Sequence, residues 1–152
     1  MANFKSVQLG GVTASARTFP MSSVGMGGRT THGARALYNL TAALALNDTI
    51  ELFDIPARAR IVGGFVLTDD LDTNGTPTIA LAVGDAADDD RYFSGVTIAQ
   101  TGGLSSALAL TGIDYVTTQK TRVIAKVTAA PATGATTGKI VVVLHYWVEE
   151  PA

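Results

Sequence analysis

From Arg35 onward the chain alternates apolar and polar residues with a period of two, and a chain with that pattern is constrained to half-buried β-strands. Tyr38, Leu40, Ala42, Leu44 and Leu46 would fall on one face of a first strand, with Asn39, Thr41, Ala43 and Ala45 on the other. Residues 34–46 are compatible with a helix on propensity alone, but the alternation argues against one. Further strands are expected at residues 49–55 (closed by Pro56), 60–68, 76–83, 91–99, 108–116 and 121–129. Gly63-Gly64 in mid-strand predicts a bulge or a close backbone approach, and Asn74-Gly75 predicts a tight turn, since both residues tolerate positive φ. The last strand, 139–149, is apolar on both faces through Val141, Val142, Val143 and Leu144, which suits the middle of a sheet. The expected fold is all-β: an eight-stranded antiparallel sandwich, jelly-roll-like, with an immunoglobulin-like sandwich as the second arrangement.

Residues 1–33 show no sustained periodicity, and they hold Pro20 and six glycines. The expected organisation is therefore an extended N-terminal arm at 1–33 followed by a β-sandwich domain at 34–152. The arm is too apolar for a plain disordered tail. It is also basic, because residues 1–47 contain Lys5, Arg17, Arg29 and Arg35 and no acid, while all thirteen acidic residues follow. An arm of this kind can become ordered on a partner by burying its anchors, and Phe4, Lys5, Leu9, Arg17, Phe19, Met26 and Arg29 are the candidate partner-binding residues.

Composition narrows the function classes. The length of 152 residues suits one domain, and the charged fraction of 16% lies well below the roughly 25% of an average soluble domain. A surface so sparsely charged implies that part of it is covered, and self-association, as a homotrimer, is the expectation. The net charge of −2 supplies no global attraction for nucleic acid, and no stretch approaches the ~20 apolar residues of a membrane span. The N-terminus carries no secretory pattern and the chain has no cysteine, so synthesis in a cytoplasm is expected.

Chemistry-bearing residues are few. His32 falls in the arm and His145 in the last strand, and the chain has neither a Gly-x-Ser-x-Gly elbow nor a phosphate-binding glycine loop. An enzyme is not expected, and no cofactor is. Asp70-Leu71-Asp72-Thr73-Asn74-Gly75 matches the opening of a calcium loop, but the twelfth position, where a bidentate Glu belongs, is Leu81. A hydrogen-bonded turn is the expected role of that stretch, and no metal is expected there. The second acidic group, Asp85, Asp88, Asp89 and Asp90, lies beyond the strand at 76–83, about 26 Å along the chain. That separation argues against a shared carboxylate pair. Asp69–Asp72 and Asp85–Asp90 are therefore expected to be solvated or to form charged contact surfaces.

The stretches 66–77 (VLTDDLDTNGTP), 83–92 (VGDAADDDRY) and 143–149 (VLHYWVE) resemble small virion proteins of tailed bacteriophages. Within that group, the size, the arm and the sandwich resemble capsid decoration (cement) proteins. The resemblance implies a structural protein on the capsid surface that joins neighbouring major capsid subunits, commonly as a trimer. It offers no catalytic motif to carry over. A tail or head-completion protein is the alternative, and a carbohydrate-binding module a more distant one.

Overall fold

The computed structural model describes residues 30–149. The chain divides into two units, Met1–Thr30 and Thr31–Ala152, and the fold described is that of the second. Its strands are β1 (His32–Asn39), β2 (Thr49–Ile55), β3 (Ala59–Thr68), β4 (Ala80–Gly84), β5 (Phe93–Val96), β6 (Gly103–Ser105), β7 (Thr121–Ala129) and β8 (Lys139–Val148). One turn of 3-10 helix, Ile98–Gln100, joins β5 to β6. The strands form two four-stranded sheets in the orders β1-β8-β3-β6 and β2-β7-β4-β5, with every pairing antiparallel. The chain passes repeatedly from one sheet to the other, which is the double-sheet jelly-roll arrangement that the sequence predicts.

Alternation explains the core. Val123, Ala125 and Val127 of β7 point inward together with Leu81 and Val83 of β4 and Phe93 of β5. They meet Ile61 and Val66 of β3 and Ile140, Val142 and Leu144 of β8 from the opposite sheet. β8 lies between β1 and β3, the central place that its two apolar faces predict.

The glycine pair in β3 also behaves as predicted. The register of β3 against β8 shifts between Ile61 and Gly63, which marks a bulge. A Cβ on Gly64 would lie 2.4 Å from the Val143 carbonyl oxygen, so the two central strands approach there more closely than a side chain permits. Gly64→Ala is expected to lose about 1–3 kcal/mol of stability by overpacking, read as a shift of the urea midpoint without a change in slope.

Other expectations are corrected. The first strand ends at Asn39 and does not run to Leu46. The chain must leave the first sheet there to reach β2 in the second. It turns at Asn47 (φ 67°), where Asp48 accepts a hydrogen bond from the Ala45 N–H, and Leu46 is left exposed. β1 begins at His32, so this histidine belongs to a strand, stacked on Tyr146 with ring centroids 5.5 Å apart, and does not fall in the arm. Residues 108–116 form turns instead of a strand: Gly112 and Ile113 N–H groups bond back to the Ala109 carbonyl, Asp114 has φ 62°, and Leu110 is 91% exposed. The sixth strand in chain order is instead the short β6, Gly103–Ser105. β4 starts at Ala80 rather than residue 76, because Thr78 and Ile79 give their N–H groups to the Asp72 carboxylate. Nor does the Asn74-Gly75 turn use positive φ; Asn74 instead accepts a hydrogen bond from the Thr76 N–H at 2.9 Å.

Candidate interaction surface

The two outer faces of the sandwich differ in chemistry. On the β2-β7-β4-β5 sheet, residues alternating with the inward Val123, Ala125 and Val127 are Arg122, Ile124 and Lys126. Arg122 bridges Glu51 and Asp54 of β2, Lys120 reaches Asp54 at 2.8 Å, and Lys126 reaches Asp89 at 2.5 Å. Hydrogen bonds from Arg122 and then Lys120 hold the Asp54 carboxyl at about 2, below the usual carboxylate range. Such a face is satisfied in water.

The outer face of the β1-β8-β3-β6 sheet is apolar. Because β8 is apolar on both sides, Ile140, Val142 and Leu144 fill the core while Val141 and Val143 point outward. Pairing sets Leu37 of β1 beside Val141, Val141 beside Leu67 of β3, and Leu67 beside Leu104 of β6. Four aliphatic side chains thus form one row across all four strands, about 14 Å wide. At its ends Leu37 is 47% and Leu104 56% exposed. The adjoining row contains Arg35, Val143 and Phe65, and the next contains His145 between Gly33 and Gly63. Phe65 meets the His145 ring edge-on at 6.4 Å. No ion pair involves Arg35 among the described residues.

The acidic loops are structural. Asp72, 1% exposed, accepts hydrogen bonds from the N–H groups of Thr78 (2.7 Å), Ile79 (3.2 Å), Ala132 (2.8 Å) and Thr133 (2.8 Å). Burial alone would push this carboxyl up, but the four donors outweigh it and hold it well below the usual range. Asp85 accepts from the N–H groups of Ala87 and Asp88, from Arg91 Nε at 2.8 Å and from the Tyr92 hydroxyl at 3.3 Å. Arg91 in turn lies over the Tyr115 ring, 4.1 Å from its centroid. Burial, reinforced by the Asp85 charge, pushes the Tyr92 hydroxyl above the usual phenol range. Among the described residues no group of three or more His, Asp or Glu could hold a metal ion. Millimolar calcium is expected to move the melting temperature by less than about 1 °C, since a cation would have to displace backbone donors already bound to Asp72.

The candidate residues Phe4, Lys5, Leu9, Arg17, Phe19, Met26 and Arg29 lie outside the described residues. The apolar sheet face was only half legible in the sequence. The two-faced last strand signals it, but Leu37, Leu67 and Leu104 become neighbours only through the sheet order.

The two antiparallel sheets, with acidic loops closed largely by backbone hydrogen bonds, define the class of the molecule as a jelly-roll β-sandwich. No family model matches the chain, and none of the curated proteins does. Solved structures do. A chain of the cyanophage Pam1 capsid asymmetric unit is 36% identical, with a TM-score of 0.72 over 80% of this chain and 86% of that one. A chain from the capsid of Ralstonia phage GP4 is 32% identical, with a TM-score of 0.72 and the same coverage. The acid-stable capsid of Helicobacter pylori bacteriophage KHP30 contains a chain of the same fold at 15% identity, with a TM-score of 0.54 over 80% of this chain and 91% of that one. This protein belongs to the family of phage capsid-associated proteins represented by the Pam1 and GP4 chains.

Proposed function

We propose that this protein is a non-enzymatic cement protein that binds the outer surface of a phage capsid and stabilises contacts between major capsid subunits. It acts as a homotrimer, without a cofactor, and contacts neither nucleic acid nor membrane. The observation that carries this reading is the asymmetry of the sandwich. One outer face is laced with ion pairs, while the other carries the row Leu37, Val141, Leu67 and Leu104, whose ends Leu37 and Leu104 stand exposed in a way that water does not favour. The likeness to chains of two phage capsids supports the same role. The basic arm, with Phe4, Lys5, Leu9, Arg17, Phe19, Met26 and Arg29, supplies the second attachment point.

The test is co-sedimentation with undecorated capsids, with light scattering of the free protein. Replacing Leu37 and Leu104 together by Asp is expected to leave the melting temperature nearly unchanged, because both side chains are exposed. The same change should weaken either trimer formation or capsid binding by about tenfold or more, as a carboxylate is forced against apolar surface. A variant that is still trimeric and binds capsids as the parent does would remove the apolar face from the account.

A further inference from the structure

The four edge strands of the sandwich are unequally protected. β5 has four residues and β6 three, too short to template another chain. β2 carries Glu51 and Asp54 and breaks register between Glu51 and Phe53. β1 differs from all of these. It runs for eight residues, His32–Asn39, contains no proline, and pairs with β8 without a register shift. Among the described residues no strand pairs with its other side, and its one charge is Arg35. A long, regular, weakly charged edge is a ready template for strand addition.

We propose that the free edge of β1 accepts an extended segment of the major capsid subunit as a fifth strand of the β1-β8-β3-β6 sheet. This rests on the capsid-binding reading above and names the element that makes the contact. The segment has aliphatic side chains at alternate positions, which extend the Leu37–Val141–Leu67–Leu104 row, and a carboxylate beside Arg35. Charge identifies the occupant. Residues 1–47 contain no acid, so neither the arm nor the β1 strand of a second copy can supply the counter-charge. Two β1 strands paired about a two-fold axis at Arg35 would set like charges opposite one another, which opposes pairing. The acidic edge β2 of a second copy is no substitute, because Glu51 and Asp54 are both engaged by Arg122. A chain of different sequence, with a carboxylate set among alternating aliphatic residues, meets both requirements of this edge. Eight residues at about 3.3 Å each give a strand contact near 26 Å long, bonded through the main chain and therefore tolerant of which aliphatic residues fill the row.

The experiment is hydrogen exchange by mass spectrometry on the full-length protein, free and bound to undecorated capsids. Peptides covering residues 30–40 are expected to slow by about tenfold or more on binding, while those covering residues 49–55 and 93–96 stay as they were. Arg35→Glu should weaken capsid co-sedimentation at low salt without moving the melting temperature, since Arg35 makes no ion pair within the described fold. Unchanged exchange at 30–40 in capsid-bound protein would overturn strand addition and leave the capsid reading standing. The same protection in the free protein would overturn it as well, because this chain or a second copy would then fill the edge. Failure to sediment with capsids at all would remove both.

Discussion

Replacement of Asp72 by alanine is expected to lower the melting temperature by roughly 10 °C or more. The cause is the number of donors that the carboxylate serves. Thr78 and Ile79 precede β4, Ala132 and Thr133 follow β7, and all four N–H groups converge on a side chain that water scarcely reaches. Alanine would leave them without acceptors in a place where water cannot take over. Asparagine should lose less, because its amide oxygen can accept from Thr78, Ile79 and Ala132, which share one carboxylate oxygen, while its amide nitrogen would face the Thr133 N–H.

The same geometry sets an acid limit. A carboxyl whose folded value is depressed contributes stability that is fully present above its unfolded value, about 3.9, and is lost as pH falls through the folded value. Asp72 and Asp54 are both depressed, Asp54 to about 2. The melting temperature should therefore be flat above about pH 5 and fall progressively below pH 4. In Asp72→Asn much of that acid slope should vanish along with part of the plateau. An unchanged slope in the variant would show that other carboxylates control the acid transition. Thermal melts followed by circular dichroism from pH 2 to 7 would decide it.

The second large effect concerns the arm. A chain beginning at Thr30 is expected to melt as the full protein does and to bind capsids about a hundredfold more weakly. Truncation at 34 would be the wrong cut, since β1 begins at His32 and pairs residue by residue with β8. The core that remains is drawn mainly from β2 to β5, β7 and β8, with the β1 side chains Ala34 and Tyr38 and the loop residues Leu40, Leu44, Leu71, Ile79 and Tyr92. Phe4, Leu9, Phe19 and Met26 could each contribute about 1.5–3 kcal/mol if buried against a partner. Even two such anchors, net of ordering, amount to ~3 kcal/mol, which is about a hundredfold in affinity. Salt should weaken the binding of the full protein more than that of the truncated one, because Lys5, Arg17 and Arg29 are removed with the arm. Undiminished binding by the truncated chain would leave the sheet face as the sole attachment site. Loss of its cooperative melting would place the arm in the core instead.

Much of this fold follows from patterns that are local in the chain. β2 and β7 occupy the residues that alternation assigns to them, β8 is the central strand that its two apolar faces demand, and the glycine pair lies beside the bulge at Val62. These are local facts: a period of two, burial on both faces and a missing Cβ are all written within ten residues of one another. Other features depend on residues distant in the chain. Leu37, Val141, Leu67 and Leu104 make one apolar row only after the chain has crossed between the sheets and placed β8 between β1 and β3. That crossing also ended β1 at Asn39, where the alternation in the sequence continues. Asp72 has the composition of a turn or a cation ligand in its local sequence. It became a clamp because residues 60 and 61 positions further on bring their N–H groups to it. Periodicity is carried by the backbone of each strand, whereas the partners of a side chain are chosen by which strands the jelly roll sets side by side.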